Sequence, residues 1–336
     1  MKVVFLFALA VLGFALPAAA FAGAARAASF SHKDWELVCD NTGTCRAAGY
    51  QDEAAESSPA SIRLTRAAGP GERVVGDVQV QGDRSWALPL RLVVDGKRLG
   101  DLRSGADAER LNARQSAMVL SALLSDKPVA FESADGQRWS VSTAGATAVL
   151  LRMDEAQGRV GTYGALVGRG NKPESSVLRA AAPPTVRAVR PLDTRIEDTK
   201  LIAPIWALVD KTTVEERCSN VLPANLRLHR LTRDKLLLSL PCSAGAYNAI
   251  GLMWMVDDRP PYVLRELDAE GQFSPDGAIH SSIKVRGVGD CWHTATWHFD
   301  GAEFVKTAEN FDSLCRGFAG GAWQLPLQVS KVRMPR

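Results

Sequence analysis

Two histidines and two aspartates crowd one short segment near the end of the chain, with Trp292 among them: Asp290, Trp292, His293, His298 and Asp300 in "DCWHTATWHFD". Imidazole and carboxylate are the groups on which acid–base and metal chemistry draw, so this segment could serve a hydrolytic site. The alternation in "TATWHFD" argues against convergence. It reads as a half-buried strand with Trp297 and Phe299 on one face and Thr296 and His298 on the other. On such a strand, positions 293 and 298 point to opposite sides of the sheet. The plain expectation is therefore a surface histidine on a polar strand face rather than a paired site. A hydrolase built from Asp290, His293, His298 and Asp300 is the alternative function. Trp292 follows a cysteine and stands outside the alternation, which makes it the aromatic side chain most readily offered to a ligand or partner. His293, His298 and Tyr247 join it as a candidate contact surface.

The familiar reaction signatures are missing from the sequence. There is no Gly-x-Ser-x-Gly elbow, no phosphate-cradling Gly-Lys-Ser/Thr loop, no His-Glu-x-x-His helix and no calcium loop. No catalytic residue, metal ligand or cofactor is expected.

Sulfur is the other reactive element present. Cys39 and Cys45 flank Asp40-Asn41-Thr42-Gly43 in "KDWELVCDNTGTCRAAGY". They are too far apart for a Cys-x-x-Cys redox pair and lack a second ligand pair for zinc. The residues between them suit a tight reversal, so the expectation is a disulfide-strapped hairpin worth about 2 kcal/mol. Cys218, Cys242, Cys291 and Cys315 allow three connectivities, and spacing does not choose among them. The sequential pairs, Cys218 with Cys242 and Cys291 with Cys315, are the expectation.

The compartment follows from the other end of the chain. Lys2 precedes an apolar run without charge from Val3 to Ala25, broken by Pro17 and ending in Ala25-Arg26-Ala27. This is the pattern of a cleaved export signal over residues 1–27, which implies a periplasmic or secreted protein. No other stretch nears the ~18 apolar residues of a membrane span. Losing Lys2 and Arg26, and no acid, lowers the formal charge from +3 to +1. Nothing resembles the basic stripe that phosphate neutralisation needs, so nucleic acid is not an expected partner; an envelope protein or a small ligand is.

The elements that must position these residues divide at a Pro- and Ala-rich stretch, residues 169–191, which reads as a linker. Residues 28–168 form an N-terminal α+β domain. Asp95-Gly96 and Asp135-Gly136 mark hairpin turns, a helix is expected within Asp107 to Ser125 with Asp107 at its start, and a second in "ATAVLLRMDEAQG". Residues 192–336 read as a β-rich domain of successive strands, with "LIAPIWALVDKTTVEERC" open between helix and strand. The fold class is α+β, mostly β, with two small antiparallel-sheet domains.

The blocks "FSHKDWELVCDNTGTCRAAGY", "MDEAQGRVGTYGALVGRGNKP", "PCSAGAYN" and "GVGDCWHTATWHFDGAEF" together resemble a family of exported bacterial proteins catalogued as a domain of unknown function, number eleven-seventy-six. The resemblance implies an envelope location and no established activity. The N-terminal half is also faintly similar to the invasion-associated locus B family, secreted or periplasmic β-rich proteins linked to host-cell entry. The similarity rests on the strapped Trp/Cys turn, "DGKRL", "LNARQSAMVLSALLS" and "WSVSTAGATAVLLRM". That family's later cysteine pair has no counterpart between Cys45 and Cys218, so the similarity implies a shared fold only.

Overall fold

A computed structural model describes residues 27–55, 57–82, 85–218, 221–244, 248–312 and 314–334. The expected export signal, apart from Ala27, and Tyr247 lie outside the described residues. Among the described residues no helix is long and apolar enough to cross a membrane. The architecture is mostly-β α+β, and the described residues form four antiparallel sheets, one two-stranded parallel pair and four short α-helices.

The N-terminal part is built on a meander of strands Ala28–His32, Trp35–Cys39, Cys45–Tyr50, Ala60–Arg66 and Val75–Val80. Cys39 faces Cys45 in register and the two are bonded. Asp40 explains the reversal between them: its Oδ1 accepts from the Thr42 amide at 2.8 Å, and Gly43 takes the left-handed conformation at φ 85°. The expected strapped hairpin is present. A smaller sheet holds the two Asp-Gly hairpins. Arg91–Val94 pairs with Lys97–Asp101 across Asp95-Gly96, and Val129–Glu132 pairs with Arg138–Val141 across the turn containing Gly136.

Helices Ala113–Leu124 and Ala146–Ala156 cover one face of the meander, burying Val119, Leu123, Val149 and Leu150 against Trp35, Leu37 and Ile62. The first helix begins later than the sequence suggests. Asn112, not Asp107, caps it through a reciprocal pair of 2.9 Å bonds with Gln115. Residues Glu109–Arg110 instead form a short strand on Val78 and Asp77, where Arg110 pairs with Asp77. Met118, on the outer side of the first helix, is exposed. Trp35 lies flat across its neighbour strand because Gly49 stands opposite; a Cβ there would sit 2.2 Å from the indole.

The C-terminal part is layered. A four-stranded sheet, centred on Lys235–Ala244 and Asn248–Asp257, alternates its side chains between two cores. Leu236, Leu238, Leu252 and Trp254 face helices Ile202–Trp206 and Lys211–Arg217, which resolves the open segment as helical. Leu237, Met253 and Met255 face Ile279, Ala295, Trp297 and Phe299 of a five-stranded sheet. That second sheet runs through Ala278–Lys284, Trp292–Phe299, Phe304–Phe311 and Leu325–Val329. Disulfides join Cys218 to Cys242 and Cys291 to Cys315, the sequential pairing. Residues 169–191 carry little regular structure. Within them Thr185–Arg187 pairs in parallel with Lys331–Arg333, and the Ala181 amide donates to Thr42 and that of Val189 to Phe299.

Candidate functional site

Strand Trp35–Cys39 is buried along its whole length. Its odd positions, Trp35, Leu37 and Cys39, meet the helices. The opposite face would be wet in a lone domain, but it is covered by the C-terminal part. Val38, Ala48 and Tyr50 pack there against Phe318, Ala322, Trp323 and Leu325. Polar contacts stitch this seam. Trp323 Nε1 donates to Ser61 Oγ at 2.7 Å, Gln51 Nε2 to the Arg316 carbonyl at 2.8 Å, and Asn41 exchanges two bonds with Val329. Arg316 pairs with Asp34 at 3.1 Å, and the Arg63 guanidinium lies 4.4 Å from the centre of the Trp323 ring.

Inside the seam sit two acids and a phenol. The Tyr50 hydroxyl donates to Glu36 Oε1 at 2.6 Å and lies 3.4 Å from Asp312 Oδ1. All three side chains are buried, Glu36 to 1 % exposure and Asp312 to 4 %. One hydroxyl proton cannot serve two carboxylates, so the geometry calls for a second proton. Burial, followed by the nearby Glu36 charge, pushes the Asp312 carboxyl up to about 8. The Ala322 amide and the Tyr50 hydroxyl act in the opposite direction and are outweighed. Burial and the two acids hold the Tyr50 phenol well above its usual range. A chain results in which protonated Asp312 faces Tyr50, and Tyr50 donates to Glu36.

The other oxygen, Asp312 Oδ2, has no hydrogen-bond partner. Asp312 lines a cavity of about 370 Å³ together with Trp292, Thr294, Asn310, Phe311 and Trp323. Gly320 and Gly321 form part of its wall, and both adopt positive φ. A Cβ on Gly321 would lie 2.4 Å from Oδ2 and 3.4 Å from Trp292 Cδ1, so the close approach depends on glycine. A larger cavity of about 690 Å³ lies beside Val78, Val80, Trp86 and Leu90. Its inward acid, Glu109, is half-buried and bonds Ser104 through one oxygen at 3.3 Å. Glu109 Oε2 and Asp312 Oδ2 are alike in having no hydrogen-bond partner, but the seam cavity is smaller, has the more deeply buried acid and is walled by two tryptophans, which are the marks of a polar binding site.

Of the candidate contact residues, Trp292 lines the seam cavity. Its indole N–H donates to the Gly289 carbonyl at 3.0 Å, and the Lys284 ammonium stands 5.3 Å from its ring. His293 turns elsewhere, bonded to Glu309 at 3.1 Å and stacked 4.4 Å from Phe311. His298 bonds Thr307 at 2.8 Å, and burial lowers its pKa. Asp290 is clasped by Arg286 and accepts from the Gly317 amide at 2.7 Å, while Asp300 accepts from the amides of Ala302 and Glu303 at 2.8 Å. Each of the four is thus held by its own local partners. Asp290, Cys291 and Cys315 bring three potential ligand atoms within 4.8 Å of one another, but the two sulfurs are joined to each other rather than presented to an ion. Sequence reasoning missed Glu36, Tyr50 and Asp312. The single signal was Glu36, an acid inside the apolar run "WELVC".

The model of a family described as a protein of unknown function, DUF1176, matches residues 29–330. The uncharacterized protein YpfG of Escherichia coli (strain K12) is 27 % identical over 324 residues, covering 86 % of this chain and 90 % of that protein. No solved structure matches. The match of the family model across both parts of the fold, seam included, shows that the chain belongs to the DUF1176 family.

Proposed function

We infer that the protein is a non-catalytic, disulfide-stabilised binding protein of the cell envelope, exported as a precursor and taking a small ligand at the seam cavity. One observation carries the reading: Asp312 Oδ2, on a side chain only 4 % exposed, has no partner and borders a cavity walled by Trp292 and Trp323. A buried acceptor left open costs about 1–3 kcal/mol, which a ligand donor would recover. Three disulfides and no free cysteine among the described residues are in keeping with an oxidising compartment. The apolar N-terminal run with its small-residue exit supports export.

The test has two arms. Full-length chain is expressed, and the osmotic-shock fluid is measured by intact mass with and without reductant. The expected species begins at or near Ala28 and is two hydrogens lighter per bridge. Retention inside the cell with reduced thiols would overturn the envelope reading. The purified protein is then offered ester, glycan and peptide substrates. Turnover that a point substitution abolishes would overturn the non-catalytic reading.

A further inference from the structure

We propose that the seam cavity binds a neutral saccharide of one or two rings, a proposal that rests on the seam being the binding site. The argument runs by charge, then by shape. Asp312 makes no ion pair among the described residues, and it shares the Tyr50 hydroxyl with a second buried acid. Two acids about one hydroxyl favour a proton on Asp312, so it lines the cavity as an uncharged group; its Oδ2, shielded from solvent beside Gly321, has no hydrogen-bond partner.

An anion would enter a cavity whose lining has an acid and no base. A cation would be repelled by the protein cations already beside both tryptophans, Arg63 at 4.4 Å from the Trp323 ring centre and Lys284 at 5.3 Å from that of Trp292, a like-charge penalty that a neutral ligand escapes. What remains favourable is a neutral molecule rich in hydroxyls. Asn310 and Thr294, coupled at 3.3 Å, supply donor and acceptor groups on the strand wall. Exposed Ser282 and Gln324 add two more at the rim. The Trp292 indole is half-buried and offers a flat apolar surface to the C–H face of a sugar ring. Its own N–H is spent on Gly289, so it contributes stacking and no polar bond. The volume, about 370 Å³, lies at the small end of ligand sites, which suits a mono- or disaccharide and excludes a long glycan held entirely inside.

The experiment uses the mature, oxidised protein labelled with 5-fluorotryptophan, its Trp292 signal assigned by the Trp292→Phe variant. Maltose, cellobiose and N,N′-diacetylchitobiose are titrated in one set, spermidine and citrate in another. The expected result is a saturable shift of the Trp292 signal with at least one neutral disaccharide. Asn310→Ala and Trp292→Ala should each weaken that binding roughly tenfold, the loss of one good contact. Near-UV circular dichroism checks that both variants keep the native fold, and Asn310→Ala carries the test if Trp292→Ala does not. A saturable shift with spermidine or citrate alone would overturn the saccharide class and leave the seam site standing. No shift with either set would overturn both.

Discussion

Two buried aspartates in this protein go opposite ways. Asp198, behind the four-stranded sheet, is 1 % exposed and meets the buried Arg230 guanidinium at 2.6 and 2.8 Å. Hydrogen bonds from Arg230 hold its carboxyl far below the usual carboxylate range. Asp312, in the seam, is buried nearly as deeply but faces a second acid through Tyr50, and its carboxyl is pushed up. Burial alone therefore decides neither charge nor role. Asp198 has every oxygen engaged and acts as a bolt between the segment Ile196–Leu201 and the strand Arg227–Arg230. Asp312 has one buried oxygen without a hydrogen-bond partner, lines a cavity, and is held protonated by burial and the neighbouring acid.

The contrast can be broken from the bolted side first. Asp198→Ala leaves Arg230 buried with only Asp258, at 3.1 Å, to balance it. Truncating one partner of a buried ion pair costs about 3–5 kcal/mol, and the remaining Asp258 contact argues for the lower end. Urea unfolding at neutral pH measures it.

From the seam side the sign is different. The Asp312 carboxyl is raised from 3.8 to about 8, so the folded state keeps a proton that the unfolded chain releases across that interval. Its contribution is fully present below about pH 4 and is lost as pH rises toward about 8. At about 1.4 kcal/mol per unit, discounted for relaxation of the site, the decline should be about 2–4 kcal/mol. Asp312→Asn cannot titrate and should gain on the parent protein by that amount as pH rises, in parallel urea curves. A smaller effect separates the bridge from the acid. Tyr50→Phe removes the shared hydroxyl and should cost about 1–3 kcal/mol, less in an Asp312→Asn background, as a double-mutant cycle will read.

Much of the frame was legible in the sequence. Asp95-Gly96 and Asp40-Asn41-Thr42-Gly43 dictate their own turns, and the cysteine pairs fall where strands and loops bring them. The parity of positions 293 and 298 on one strand kept the histidines apart, because a pleat alternates by geometry rather than by context. The site was not legible. Tyr50 and Asp312 are 262 residues apart, and no local rule brings them together. Glu36 sits at an alternating position that faces water on a one-sided sheet; only the docking of Phe318, Ala322 and Trp323 turns that face into an interior. Asp107 misled for a related reason. It has the right chemistry for a cap, but residues 109–110 are claimed by strand pairing with Asp77 and Val78, and the helix waits for Asn112.

The central claim is that Asp312 stays neutral inside the seam, beside a second buried acid. Carbon-13 NMR of the aspartate side-chain carboxyls, assigned through Asp312→Asn, reads that charge directly. The account predicts a protonated Asp312 signal at neutral pH that titrates near 8. An Asp312 signal already in the carboxylate position at mildly acidic pH would contradict it.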